Sequence, residues 1–280
     1  MGKRKMTKTA QAEAARAIRL RFSNLGQRLD PQSGLGKMLK IAERSEHRKP
    51  SDIVTSRDVF DGQAVAHMCD ALSVLDDCPK ASEYLRKLIS GSLSSYDRGR
   101  SVAKDTFWEI DTCYQMRRAG LSANLAEHPD VAWSHDKARI GIECKKIHSN
   151  ARLQNALSQA VGQLLKTTDY GFVAVNIDEF VPGTLKVDKW ENTDIMPQKI
   201  LSDFCKEHER HLVKYLNENR VSGFLIFCSV RVILRQPNGR PGLYFTKQWQ
   251  FFTRPDLPQK HATHAKILER AMRHLTEGSK

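Results

Sequence analysis

The chain has 280 residues, 40% hydrophobic and 28% charged, a balance that fits one or two folded domains and excludes a disordered protein. No apolar run approaches the roughly 20 residues that cross a bilayer, and the basic start at Lys3, Arg4 and Lys5 lacks the apolar stretch of a secretory signal, so a cytoplasmic protein with no membrane partner is expected. Lys and Arg number 45 against 32 Asp and Glu, and this net charge of +13 points to a polyanionic partner, most simply nucleic acid.

The basic excess is spread along the chain, with 19 basic and 12 acidic side chains in residues 1–100 and 26 and 20 thereafter. Residues 8–98 show helical spacing throughout. Ala10, Ala14, Ala15, Ile18, Phe22 and Leu25 mark a first helix, Met38, Leu39 and Ile41 a second, and Val65 to Leu75 and Tyr84 to Leu88 later ones. Breaks fall at Pro31 to Gly36, around Pro50 and at Cys78-Pro79. Arg16 and Arg19 continue the basic start along the first helix as candidate phosphate contacts. The Ser/Gly-rich stretch Ser90 to Gly99 closes an all-helical N-terminal region, residues 1–100, expected to supply DNA or partner contacts and a homodimer interface.

After residue 100 the texture becomes α/β. A helix is predicted over Ser101 to Arg118 with Gly120 as its C-cap, then strands at Ser122 to Glu127, Asp130 to Ser134 and Ala138 to Ile147. A helix from Ala151 to Lys166, a buried strand from Gly171 to Ile177, a Pro/Gly-containing segment from Val181 to Pro197 and a helix from Ile200 to Asn219 follow. Strands Gly223 to Arg235 and Leu243 to Thr253 flank a turn signal at Pro237-Asn238-Gly239, and a basic helix runs from Gln259 to Thr276. His261 and His264 in that helix lack an acidic or cysteine ligand nearby and are expected on a solvated face rather than on a metal. Trp133, Trp190, Trp249, Phe251 and Phe252 are expected mostly in the core, and the six scattered cysteines are expected as reduced thiols.

Charge inside an apolar strand is the most informative feature. In Ile140-Gly141-Ile142-Glu143-Cys144-Lys145-Lys146 alternation sends Ile140, Ile142 and Cys144 to one face and Gly141, Glu143 and Lys145 to the other. A carboxylate and an ammonium therefore share a surface, and Pro129-Asp130 lies a short hairpin's length upstream. On the preceding helix Glu109 stands at the margin of the apolar face, in a row with Thr106 and Cys113. On the following helix Arg152, Gln159 and Gln163 lie along one edge of the stripe formed by Leu153, Ala156, Leu157, Ala160 and Leu164, with Gln163 nearest to it. Each has a plainer reading: Asp130 as a turn cap, Glu143 and Lys145 as a salt bridge on an exposed face, Glu109 as a solvated helix residue, Ser149 as a helix cap.

In this order, with a 13-residue gap from Asp130 to Glu143, residues 101–180 resemble the PD-(D/E)XK nuclease superfamily. The resemblance implies a restriction-endonuclease-like mixed β-sheet flanked by helices, with a nuclease domain over residues 101–280. It implies an endonuclease that hydrolyses DNA phosphodiester bonds with Mg2+ or Mn2+, in bacterial defence or DNA repair. Hydrolysis concentrates negative charge on the phosphate and the leaving oxygen, which a hard divalent cation neutralises, and magnesium takes one or two carboxylates with water and substrate oxygens. By the resemblance Asp130 and Glu143, with Glu109 and the Cys144 carbonyl, hold the metal, while Lys145 orients or activates the attacking water. Gln163 and Gln159 stand behind them, and Lys146, His148 and Arg152 contact nucleic acid. Two other readings accompany this one: a nucleic-acid-binding or assembly protein without catalysis, and a nuclease acting on RNA or branched DNA.

Overall fold

The computed structural model describes residues 8–49, 53–189, 192–235 and 241–277; Lys3 to Lys5, Trp190 and the Pro237 to Arg240 turn lie outside the described residues. Cα packing divides the chain between Tyr114 and Gln115. Among the described residues, one compact unit takes in those of 8–114 and Leu243–Phe245, the other those of 115–242 and 246–277.

The helical unit is built on α1 (Lys8–Asn24), α2 (Gly34–Arg44), α3 (Ser56–Ala71), α4 (Ala81–Leu88) and most of α5 (Val102–Arg118). Helical spacing gathers Ala12, Ala15, Ile18 and Phe22 of α1 on one buried face, which packs with Leu35, Met38, Leu39 and Ala42 of α2 and Phe60, Val65 and Met68 of α3. Starts are marked in the sequence. Ser33 accepts from the Gly36 amide at the head of α2, and Thr55 and Asp58 form a reciprocal capping box on α3. Two polar pairs lie within the unit: His67 Nε2 meets Asp111 Oδ1 at 2.8 Å, and Ser94 Oγ donates to Asp61 Oδ1 at 2.8 Å. The arginines expected to lie along phosphate are engaged inside this unit, Arg16 with Glu46 at 2.8 Å and Arg19 with Glu43 at 2.5 Å.

The second unit is α/β. Its strands are β1 (Asn124–Leu125), β2 (Val131–His135), β3 (Ala138–Lys146), β4 (Tyr170–Asn176), β5 (Leu185–Val187), β6 (Gly223–Arg235) and β7 (Pro241–Phe252); its helices are α6 (Asn150–Thr167), α7 (Asn192–Glu207), α8 (Glu209–Asn217) and α9 (Gln259–Glu277). The sheet order is β1-β2-β3-β4-β6-β5, with β7 also paired to β6. The β1-β2-β3 meander is antiparallel and the β3-β4, β4-β6 and β5-β6 pairs are parallel, so the sheet is mixed and flanked by helices.

Register assigns the two faces of its centre. Gly141, Glu143 and Lys145 align with Gly171, Val173 and Val175 of β4, and α6 covers this side, with Leu164 against Gly171 and Thr168 against Gly141. On the other side Trp133 stacks on Phe172 at 6.3 Å between ring centroids, and Phe251 leans on Phe172 at 6.1 Å. His264 stacks on Tyr170 at 4.2 Å, and His261 Nδ1 meets Ser222 Oγ at 2.9 Å. The expected solvated histidine face is therefore corrected: the His264 imidazole lays apolar area against the Tyr170 ring while its Nδ1 meets the Lys260 carbonyl at 2.8 Å. Burial, then the neighbouring His264, holds the His261 pKa below the usual range.

Two further expectations change. The stretch from Val181 to Pro197 contains β5 and the first turns of α7, which carries Pro197 inside it. The single helix from Ile200 to Asn219 is two, broken at His208, whose ring packs on Phe204 at 4.5 Å. The six cysteines are free thiols, and burial pushes Cys205 and Cys228 up to about 12. Among the described residues no helix is long and apolar enough to cross a membrane.

Candidate active site

The group centres on the point where β2 gives out beside β3. Their last aligned pair is Val131 with Ile142, so Asp130, one residue before β2, comes alongside Glu143. Asp130 Oδ2 accepts from the Cys144 amide at 2.7 Å, a carboxylate taking the place of the missing strand partner. A strand residue presents its N–H and C=O to the same neighbour, so the Cys144 carbonyl is directed to the Asp130 side as well. Pro129 can lie there because position 141 has no side chain: a Cβ on Gly141 would stand 2.8 Å from Pro129 Cβ and 2.6 Å from Thr168 Cγ2.

Glu143 has no exposed surface. Its Oε2 accepts from Lys145 Nζ at 2.9 Å, while Oε1 receives no hydrogen bond and faces His128 Nδ1 at 3.9 Å. Burial, and then the charge of Asp130, raises the Glu143 pKa to about 7. Burial also raises that of Asp130. With both acids ionised Oε1 has no donor; with Glu143 protonated it donates to Asp130, and the pair is best described as sharing a proton. For Lys145, burial works against the ammonium, but attraction to Asp130 and Glu143 outweighs it and the pKa is raised. Lys145 is a fixed positive charge.

This donor set fits a hard divalent cation. A fully buried carboxylate oxygen without a donor, a second carboxylate beside it and a strand carbonyl on the same side are oxygen ligands whose two acids face the single positive charge of Lys145. Among the described residues no cluster of three or more His, Cys, Asp and Glu side chains could hold a metal. The side chains therefore offer two carboxylates, and the remaining positions would fall to the carbonyl, water and substrate, as magnesium prefers.

The other expected residues divide. Gln163 is half-buried on α6, and its Nε2 donates to His128 Nδ1 at 3.3 Å. Gln159 and Arg152 are exposed on α6. Glu109 is half-buried on α5, in the helical unit. Lys146, expected to touch nucleic acid, is turned away from Glu143 by alternation; its side chain is 7% exposed, and Nζ lies 3.7 Å from Asp178 Oδ2. Asp178 is anchored in turn by Asn176 Nδ2 at 3.1 Å and the Ser229 amide at 2.7 Å. His148 is half-buried just past β3, and Ser149 starts α6 with extended backbone but no side-chain cap bond.

Sequence reasoning missed His128. It belongs to no periodic element, and the only signal was its place immediately before Pro129-Asp130. No protein-family model matches the chain, and no curated protein or solved structure matches it either.

Proposed function

We propose that the chain is a divalent-cation-dependent endonuclease of the PD-(D/E)XK type, on a restriction-endonuclease-like fold, hydrolysing DNA phosphodiester bonds. The observation that carries this reading is the convergence of Asp130, Glu143 and Lys145 where β2 ends, with Glu143 fully buried and its Oε1 undonated. A structural ion pair with Lys145 needs one carboxylate. A second one, drawn to the same spot by the Cys144 amide, raises the cost of ionising both unless a cation joins them. The order α5, β1, β2, β3, α6, β4 supports the same reading, and the net charge of +13 favours a polyanionic substrate.

Asp130, Glu143 and the Cys144 carbonyl would hold Mg2+ or Mn2+. When bound, such an ion polarises the phosphate and lowers the pKa of a water ligand. Lys145 is charged and therefore does not take the proton from water; it orients the attacking water and offsets negative charge as it builds on the phosphate. The carboxylates of Asp130 and Glu143, fixed by the Cys144 amide and Lys145, set the direction of attack.

The test is incubation of plasmid, linear duplex, single strands, RNA and four-way junctions with Mg2+ or Mn2+. DNA cleavage that EDTA abolishes, and that Asp130→Ala, Glu143→Ala and Lys145→Ala each lower by about 100-fold or more, is the expected result. Full activity in Asp130→Ala or Lys145→Ala sinks the mechanism. Salt-sensitive binding that survives loss of Glu143, with no product from any substrate, identifies a catalytically silent binding protein instead.

A further inference from the structure

Building on the phosphodiesterase reading, we propose that His128 contacts the substrate: held by Gln163, it donates a hydrogen bond from Nε2 to a non-bridging oxygen of the bound phosphodiester. Within the group exposure rises from Glu143 at 0% through Lys145 at 21% to His128 at 53%, so His128 is the member that an arriving phosphate meets. Its orientation is not left to the solvent. The Gln163 amide nitrogen is a donor only, and at 3.3 Å from Nδ1 it makes that nitrogen the acceptor. A ring whose Nδ1 accepts carries its hydrogen on Nε2, at the edge turned away from Gln163.

That donor answers a need of the site. Asp130 and Glu143 repel a phosphodiester, and the Lys145 ammonium is already engaged with Glu143 at 2.9 Å. An N–H donor there adds attraction for a phosphate oxygen. The contact is blind to base identity, as contacts to phosphate are. Gln163 is then a positioning residue, acting through His128 from a half-buried place on α6.

The experiment measures steady-state cleavage of a short duplex with Mg2+ by wild type, His128→Ala, His128→Asn, His128→Gln, Gln163→Leu and the His128→Ala/Gln163→Leu pair. Binding made in both ground and transition states appears chiefly in KM, so His128→Ala should raise KM about tenfold, in line with one hydrogen bond to a charged group, with a smaller change in kcat. Glutamine places an amide nitrogen near the position of Nε2 and should recover most of the loss; asparagine, which mimics Nδ1, should not. Gln163→Leu should raise KM by itself and add little in the His128→Ala background.

A readout independent of turnover is 15N NMR of the ring in the cation-free protein, which should show the Nε2–H tautomer in wild type and a mixture in Gln163→Leu. An unchanged KM in His128→Ala, rescue by asparagine as good as by glutamine, or an Nδ1–H ring overturns the proposal. If wild type cleaves and loses activity with Asp130 while His128→Ala keeps its KM, this inference alone falls; if wild type cleaves no substrate, the phosphodiesterase reading falls with it.

Discussion

Glu143 binds its proton more tightly in the folded chain than an exposed glutamate does, and the sign of the resulting pH dependence follows. Its folded pKa of about 7 lies above the ordinary 4.5, so folding takes up a proton between those values. The contribution of Glu143 to stability is complete below about 4.5, declines as pH rises and is lost above about 7. At about 1.4 kcal/mol per pH unit the span is on the order of 3 kcal/mol. Lys145, with its raised pKa, contributes stability that is lost only at strongly alkaline pH, outside this window. In EDTA, thermal melts of wild type should therefore fall from pH 4.5 to 7, whereas Glu143→Gln should flatten the profile and melt higher than wild type at pH 8. Equal slopes in the two proteins would place the pH dependence elsewhere. Glu143 and Lys145 were readable because a strand has a period of two and charge on an apolar strand stands out. His128 was not, because Gln163, 35 residues later, is what makes its position meaningful.

At the level of elements, legibility followed the strength of the local pattern. β2, β3, α6 and β4 have long apolar runs or clear alternation, and their predicted limits differ from the observed ones by a residue or so. β5 has only three residues and takes its identity from pairing with Val232 to Leu234 of β6, a contact no local pattern encodes. The start of α7 was obscured by Pro197, which as a helix breaker reads against a helix it in fact joins. What brings β2, β3 and α6 close enough to make the site is Gly141. Gly141→Ala should push Pro129 and Thr168 aside, cost about 1–3 kcal/mol in chemical denaturation and lower cleavage by moving Asp130. Gly162→Ala, in the same helix as Gln163 and with nothing within 4 Å of its new methyl group, should instead be neutral or stabilising by up to about 1 kcal/mol. Similar losses from both substitutions would show that Gly141 has no special part in seating the Asp130 turn.

For the whole molecule, a net charge of +13 is a sum, and a phosphate backbone responds to the charges it can reach. Arg16 and Arg19 are tied to Glu46 and Glu43, and Arg21 is tied to Asp76. Lys146 is buried against Asp178. To touch a phosphate each of these must first give up a carboxylate partner, so the exchange gains little. Arg152, exposed on α6, has the opposite prospect. Every phosphate neutralised by a cation releases counterions and steepens the fall of log affinity with log salt by about 0.9. Fluorescence anisotropy of a labelled duplex, measured with the cleavage-deficient Lys145→Ala protein between low and moderate salt, separates the two groups. Arg152→Ala should make the slope shallower by about one, while Arg16→Ala and Arg19→Ala should leave it unchanged. The reverse pattern would move the nucleic-acid surface to the helical unit, because only a phosphate in competition with Glu46 and Glu43 could make those two arginines count.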